Sequence, residues 1–261
     1  MKRRCAAIII FAFTTILATV VAAEHGLARN LTQIIDSKKV VIAMVDRDFP
    51  PFITQTKGGG LEGLEVDLAR DIAKELGVTL EIAKTDHFND VINIVASGKA
   101  DIGLSNLSIT CDRAKHVKFT NAYRKLGIVL LLNRMKMAAH NLAAGIQHLK
   151  ELKNTTDTIG VIKRSAYHTG ALKYFPNANV KTYDRYKDLI LAAKKDEILL
   201  AIGNSGTIEA FLRKNPDLVV KLQPFKVEGL IDHIAMAVGV ENDHLLSWLN
   251  SYIIVRGLNT Q

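Results

Sequence analysis

The chain has 261 residues, of which 48% are hydrophobic and 23% are charged. These values are typical of a globular protein with an ample core, and the length suits one large or two smaller α/β units. The formal net charge of +8 is spread along the chain without a basic block or interleaved aromatic residues, so we expect no nucleic-acid partner.

The N-terminus has the pattern of an export signal. Lys2, Arg3 and Arg4 precede the apolar run CAAIIIFAFTTILATVVAA, which ends in small residues. We therefore predict that residues 1–23 are a signal peptide cleaved after Ala23, and that the mature protein is periplasmic. An uncleaved membrane anchor is the alternative, because the run is nearly long enough to span a bilayer. Cleavage would also remove Cys5, leaving Cys111 without an internal disulfide partner.

The next segment predicts a βαβαβ unit. The runs VVIAMV (40–45), VTLEIA (78–83) and ADIGLS (100–105) are typical of buried strands. Between them, VDLARDIAKELG and FNDVINIVASG carry apolar residues at helical spacing, and Gly77 ends the first helix. This alternation predicts an open parallel sheet with right-handed crossovers.

A second α/β unit follows. After the strand IVLLL (128–132), the stretch NRMKMAAHNLAAG (133–145) is predicted to cross between the units. TIGVI, VKTY and ILLAI are then predicted strands, and YHTGALKYF, DRYKDLILAAKK and SGTIEAFLRK are predicted helices. HIAMAVGV (233–240) is a predicted late strand and DHLLSWLNSYII a closing helix. Two similar units indicate two lobes.

Motifs for nucleotide, metal or catalytic chemistry are incomplete. GGGLEG (58–63) fits G-x-G-x-x-G, but two prolines separate it from the strand and the predicted helix begins only near Val66, so we interpret it as a turn. GNSG (203–206) is followed by Thr207 in place of the last glycine of a nucleophile elbow. The histidines lack metal-ligand spacing, and no pair of carboxylates stands out as a general acid and base. We predict no cofactor, metal or catalytic residue.

The stretch NLSITCDRAKHVKFTNAY (106–123) contains a candidate anion site. Thr110 is a suitable N-cap for a short helix over 111–116, and Ser108 adds a second hydroxyl. The planar guanidinium of Arg113 matches a carboxylate. These residues leave two interpretations open: a carboxylate clamp, or a solvated arginine balanced by Asp112.

The order of the motifs resembles the amino-acid-binding family of bacterial extracellular solute-binding proteins, family 3. The resemblance covers roughly residues 31–255 and is carried by DFPPF, GLEVDLARDIAKELG, SGKADIGLSNLSIT with DRAKHVKFTNAY, TIGVIKRSAY and HIAMAV. It implies a two-lobed α/β type II periplasmic-binding fold, in which each lobe is a mostly parallel sheet with flanking helices and two crossing strands join the lobes. We expect lobe 1 to comprise residues 31–133 and 233–261, and lobe 2 residues 134–232.

The same resemblance implies a ligand site in the cleft between the lobes. Arg113 should bind the ligand's α-carboxylate, with hydrogen bonds added by Ser108 and by backbone groups near Ser105–Leu107. The remaining contacts that it implies are Phe49, Phe88, Ser165, Ala166 and Tyr167, whereas Phe52 is expected in the core.

Two positions depart from the family pattern. Arg164 replaces the glycine of the second-lobe turn and, with Lys163, should make the cleft more positive. Asn204 stands where the family usually has an aspartate that pairs with the ligand's ammonium, although it is also a good N-cap for a helix over 205–214. Its amide oxygen cannot neutralise an ammonium group. An organic acid or dicarboxylate therefore competes with an amino acid as the predicted ligand.

We expect a monomeric binding protein, not an enzyme, that delivers a small carboxylate-bearing ligand to the membrane permease of an uptake (ABC) transporter. A retained N-terminus would favour an extracytoplasmic sensor instead. A dehydratase-type enzyme on the same fold is a further alternative, and would need a positioned acid or base in the cleft.

Overall fold

The computed structural model describes residues 28–140 and 152–258, and the predicted signal peptide and residues 141–145 of the predicted crossing lie outside them. The described helices are α1 (Leu31–Asp36), α2 (Leu64–Leu76), α3 (Phe88–Ala96), α4 (Arg134–Ala139), α5 (Ala166–Tyr174), α6 (Tyr186–Lys194), α7 (Ser205–Lys214), α8 (Leu218–Lys221) and α9 (Asp243–Val255), with a 3₁₀ helix at Arg113–Lys115. The strands are β1 (Lys39–Val45), β2 (Thr54–Gln55), β3 (Leu61–Glu62), β4 (Thr79–Thr85), β5 (Ile102–Gly103), β6 (Lys118–Phe119), β7 (Arg124–Asn133), β8 (Thr158–Ile162), β9 (Asn179–Tyr183), β10 (Leu200–Asn204), β11 (Leu222–Ile234) and β12 (Ala237–Val238).

Two five-stranded sheets organise the chain. The first has the order β4-β1-β5-β12-β6 and the second the order β11-β7-β10-β8-β9. In the first sheet β1 pairs parallel with β4 and β5, and β12 pairs antiparallel with β5 and β6. In the second sheet β8 pairs parallel with β9 and β10, and β7 pairs antiparallel with β10 and β11. Each sheet thus has one reversed strand among otherwise parallel strands, which confirms the predicted α/β architecture.

Hydrophobic periodicity explains most of the elements. Helix α2 buries Val66, Ala69, Ile72, Ala73 and Leu76 on one stripe, as its spacing predicts. It ends at Gly77, whose φ of 66° is left-handed and suits a residue without a side chain. Strand β8 coincides with TIGVI and helix α7 with SGTIEAFLRK, so those predictions are confirmed.

The late strand is where the sequence prediction is wrong. HIAMAVGV does not form one strand: β11 ends at Ile234 and β12 covers only Ala237–Val238. The two parts belong to different sheets, so the chain has to leave the second sheet and enter the first within this run. A continuous apolar stretch does not reveal such a change because both parts are buried. Most of β11, which begins at Leu222, was not predicted from the sequence.

The chain passes between the sheets twice. It leaves the first sheet after β6 and enters the second at β7, and it returns between β11 and β12. Strand β7 therefore pairs in the second sheet and α4 follows it directly. The expected lobe boundaries, after residues 133 and 232, assign β7 to lobe 1, whereas β7 pairs in the second sheet. The boundaries themselves stay a prediction.

A buried ionic cluster fixes the first crossing. Glu65 is fully buried in α2 and accepts hydrogen bonds from the Tyr123 hydroxyl at 2.6 Å, the Asn106 backbone N–H at 2.7 Å and the Arg124 guanidinium. Arg124 begins β7 and also lies over the Phe52 ring, 4.8 Å from its centroid. These contacts hold the loop after β5, from which the candidate site is built, against the start of the crossing strand.

None of the helices within residues 28–140 and 152–258 has the length and apolar composition that a membrane span requires.

Candidate functional site

A small cavity lies between the two sheets. The first side of the cavity belongs to the unit built on the first sheet and comprises Phe49, Phe88, Asn106, Ser108 and Arg113. The second side belongs to the unit built on the second sheet and comprises Ser165, Ala166, Tyr167, Tyr186 and Asn204. Its volume is about 10 Å³, roughly the space of one water molecule. In this conformation the two sides are therefore closed against each other.

Arg113 is a buried cation in this cavity. Its relative exposure is 6%, and among the described residues no carboxylate lies within the 4.0 Å of an ion pair. Its Nε and Nη2 donate to the Asn89 side-chain oxygen at 3.3 and 3.2 Å, and its Nη1 donates to the Ser108 carbonyl at 3.0 Å. A guanidinium has five N–H groups, so two remain, one on each terminal nitrogen. Burial lowers the pKa of Arg113 to about 10.

Local structure holds Arg113 in this position. The predicted helix over 111–116 is only the 3₁₀ helix Arg113–Lys115, and Thr110 accepts a hydrogen bond from the Arg113 backbone N–H at 3.2 Å. Asp112, the alternative ion-pair partner, is exposed and bonds to Lys115 instead. The interpretation of Arg113 as a solvated arginine balanced by Asp112 is therefore wrong.

The N-terminus of α5 contributes the second side. Ser165 is its N-cap and accepts from the His168 N–H at 3.2 Å. The backbone N–H groups of Ala166 and Tyr167, at the first two helical positions, have no acceptor among the described residues. They are hydrogen-bond donors at the edge of the same cavity as Arg113.

Asn204 ends β10 and starts α7. It is fully buried, and its side-chain oxygen accepts from the Thr207 N–H at 2.9 Å, which confirms the predicted N-cap. Its side-chain nitrogen is buried without a hydrogen bond to any described residue. It lies near the Tyr167 hydroxyl, where it opposes part of the rise that burial causes in the pKa of that phenol. Because the oxygen is used by the helix, Asn204 offers the cavity a donor and not an acceptor.

Aromatic rings form the cavity wall. Phe49 meets Phe88 edge to face with centroids 5.5 Å apart, and it stacks on Tyr186 at 5.0 Å. Tyr186 comes from α6, so this stack joins the two sides. Phe52 lies in the core with 2% of its surface exposed, as expected.

Arg164 does not add positive charge to the cavity. It pairs with Asp90 of α3, its Nη2 lying 2.6 Å from the carboxylate, and so bridges the two sides outside the cavity. Its φ of 57° is left-handed, which explains why the family pattern has glycine at this turn. Lys163 is exposed beside it.

A larger cavity of about 670 Å³ adjoins the small one and shares Ser108, Ala166 and Tyr167 with it. Its wall is mostly apolar, with Ile128, Leu130, Phe175, Ile202 and Val227 from the second side. Asp232, from β11, lies on this wall at 7% exposure.

Asp232 is held by two residues of the predicted site. Its Oδ2 accepts from the Ser108 hydroxyl at 3.0 Å and from the Tyr167 hydroxyl. Burial raises the pKa of the Asp232 carboxyl above its ordinary value, although the two hydroxyls and Arg113 oppose that shift. Burial and the Asp232 charge likewise raise the pKa of Tyr167.

Most of the sequence-predicted site residues therefore line one cavity. The exception is Ser105, whose hydroxyl accepts from the Val45 N–H within the first sheet. The role of each in binding stays a prediction. Sequence reasoning missed Tyr186, Asn89 and Asp232, which no motif marks.

Within the described ranges no group of three or more His, Cys, Asp or Glu side chains is arranged to hold a metal ion. Cys111 is a free, exposed cysteine.

Comparison with known proteins places these features in a family. Residues 41–252 match the family model of bacterial extracellular solute-binding proteins, family 3. The chain is 31% identical to the arginine-binding extracellular protein ArtP of Bacillus subtilis over 183 residues, covering 69% of this chain and 67% of that protein. An arginine-bound mutant of ArgBP from T. maritima has a TM-score of 0.70 and 25% identity, covering 85% of this chain and 98% of that one. The ancestral amino acid-binding protein AncCDT-1, a precursor of cyclohexadienyl dehydratase, shares the fold with a TM-score of 0.71 at 23% identity, covering 85% and 91%.

Proposed function

We propose, because this chain belongs to the bacterial extracellular solute-binding proteins of family 3, that it captures a small carboxylate-bearing ligand between its two lobes and delivers it to the membrane permease of an uptake transporter. The ligand is an amino acid or an organic acid. The proposed place of action is the periplasm, reached through the signal peptide 1–23. The relatives that support this proposal are named as binding proteins.

One observation carries the proposal: Arg113 is a buried cation without a carboxylate partner among the described residues. Removing a charged group from water costs several kcal/mol unless it is paired. The two N–H groups that Arg113 does not use lie on its two terminal nitrogens, so each nitrogen has one donor left for a carboxylate oxygen.

The second side supplies matching donors. The N–H groups of Ala166 and Tyr167 lie at the positive end of α5, where an anion is favoured. A carboxylate held between Arg113 and this helix contacts both sides at once. Because such a ligand interacts fully only with the closed state, it shifts the population towards that state, which the permease then recognises.

The test is a thermal-shift screen of residues 24–261 with amino acids and their deaminated analogues. A ligand at a hundred times its dissociation constant should stabilise the protein by about 2.7 kcal/mol, or several degrees. Arg113→Gln should abolish the shift, whereas Arg70→Gln, which removes an exposed arginine, should retain it. A shift that survives Arg113→Gln would contradict the proposal.

The dehydratase alternative gains a candidate proton donor in Asp232, whose pKa is raised. Incubation with a prephenate-like cyclohexadienyl acid distinguishes the two functions, because a dehydratase would release an aromatic product and a binding protein would not. N-terminal sequencing of exported protein separates the transporter component from a membrane-anchored sensor.

A further inference from the structure

Asp232 is a buried carboxylate without a cation. It is 7% exposed, and no lysine, arginine or histidine of the described residues lies within ion-pair distance of it. Its hydrogen bonds both go to Oδ2, so Oδ1 has no donor among the described residues. A buried carboxylate in this state favours a cationic partner, for the reason that makes Arg113 favour an anion.

Arg113 and Asp232 are linked through one residue. Arg113 donates to the Ser108 carbonyl at 3.0 Å, and the Ser108 hydroxyl donates to Asp232 at 3.0 Å. Two hydrogen bonds and the span of one residue place the guanidinium and the carboxylate at most roughly 10 Å apart. An α-amino acid hydrogen-bonded through both its carboxylate and its ammonium spans roughly 8 Å between the two protein groups. This upper bound leaves room for a zwitterion, whose two charges are separated by one carbon, to bridge the two groups.

The charges of the two groups also balance. Arg113 and Asp232 together are neutral, and Arg164 is withdrawn from the cavity by Asp90. A dicarboxylate would meet Asp232 with a second negative charge, whereas a zwitterion presents the opposite charge to each group. His233 and the exposed Lys153 also line the larger cavity, but neither is paired with Asp232.

The larger cavity gives the rest of such a ligand a place. Its 670 Å³ is within the range of small-molecule sites, ~300–1,000 Å³, and Asp232 lies on its wall. The apolar residues Leu130, Phe175 and Ile202 on that wall suit an apolar side chain.

We propose that Asp232, and not the residue at position 204, binds the ligand's ammonium, so that the ligand is an α-amino acid whose side chain enters the adjoining apolar cavity. This inference rests on the proposed function. It accounts for Asn204, because the carboxylate that the site needs comes from β11 instead of from the end of β10.

The experiment compares leucine and phenylalanine with their 2-oxo and 2-hydroxy analogues by titration calorimetry of the mature protein and of Asp232→Asn. The wild type should bind the amino acids more tightly than the analogues. Asp232→Asn should weaken amino-acid binding by ~30-fold or more and leave analogue binding unchanged or tighter. Glu228→Gln, which removes an exposed carboxylate from the same strand, should behave as wild type.

The results separate failure of this inference from failure of the proposed function. Analogue binding as tight as amino-acid binding in the wild type, or equal losses for both in Asp232→Asn, would overturn the role of Asp232 while leaving Arg113 as a carboxylate site. No binding of any amino acid or organic acid in the screen would overturn both. If Asp232→Asn does not fold, the wild-type comparison alone decides.

Discussion

At the scale of single residues, Arg164 affects stability in two opposite ways, through its backbone conformation and through its ion pair. Arg164 has a left-handed backbone, which costs a non-glycine residue about 1 kcal/mol, and its side chain makes the ion pair with Asp90. Both partners are partly exposed, so the pair contributes about 1 kcal/mol or less. The two contributions are therefore of similar size and opposite sign.

We expect Arg164→Gly to unfold at a higher urea concentration than Arg164→Ala, with a difference of about 1 kcal/mol in the free energy of unfolding. Both variants lose the contact with Asp90, but only alanine keeps a Cβ in the left-handed region. Urea titration followed by circular dichroism measures the difference. Equal midpoints would mean that the turn relaxes when the ion pair is lost.

We also expect the pH dependence of stability to differ between the wild type and Asp232→Asn. Because burial raises the pKa of Asp232, the folded protein holds this proton more tightly than the unfolded chain does. The stabilisation from protonated Asp232 is thus complete below the ordinary aspartate pKa and is lost as pH rises through the raised value. Without ligand, Asp232→Asn should gain stability over the wild type as pH increases from about 4 to 7.

The stability gap between Asp232→Asn and the wild type is measured from the unfolding midpoints of both proteins between about pH 4 and 7. Glu228→Gln, which removes an exposed carboxylate, is the control. The charged groups that face Asp232 are Arg113 and His233, and both oppose the larger rise that burial causes in its pKa. A gap that narrows with rising pH would show that these charges outweigh burial.

Sequence could locate Arg113 but not Asp232. Arg113 lies in a motif whose neighbours in the chain, Ser108 and Thr110, belong to the same site. Asp232 has no local signature, because its partners are 124 and 65 residues away along the chain. The pairing of β11 with β7, together with the bridge between Ser108 and Ile234, brings it to the cleft. Local patterns therefore predict the residues that bind through their own loop, and topology supplies the rest.

At the scale of elements, helix α5 has two roles. Its first turn provides donors to the small cavity, and one side of it lines the larger cavity at Gly170 and Ala171. A Cβ added at Gly170 would meet no heavy atom within 4 Å. A side chain can therefore be introduced there without a clash, and glycine in the middle of a helix is itself unfavourable by about 1 kcal/mol.

We expect Gly170→Ala and Gly170→Leu both to raise the free energy of unfolding by up to about 1 kcal/mol through helix propensity. Only the leucine projects far into the cavity, so Gly170→Leu should weaken binding of leucine and phenylalanine relative to alanine, whereas Gly170→Ala should change little. Calorimetry of the three amino acids with each variant measures this selectivity. Unchanged selectivity in Gly170→Leu would place the ligand's side chain outside the cavity.

At the scale of the whole molecule, closure depends on contacts that involve no ligand. Arg47, after β1, donates to the Asp184 carbonyl at 2.9 Å and lies 3.3 Å from its carboxylate, after β9. The Phe49–Tyr186 stack and the Asp90–Arg164 pair join the same two sides. Arg47 does not line the cavity that contains Arg113, so changing it alters closure without touching the proposed ligand contacts.

We expect Arg47→Ala to shift the ligand-free protein towards an open state. Losing a partly exposed ion pair of about 1 kcal/mol changes the ratio of closed to open molecules by about fivefold. The radius of gyration from small-angle X-ray scattering should therefore increase without ligand, and should equal that of the wild type at saturating ligand. The apparent affinity of Arg47→Ala for its ligand should fall only in proportion to the decrease in the fraction of closed molecules, because the ligand contacts themselves are intact. The control is Arg70→Ala, which removes an exposed arginine on α2. Identical scattering from Arg47→Ala and the wild type would mean that the aromatic stack and the Asp90–Arg164 pair hold the closed state without Arg47.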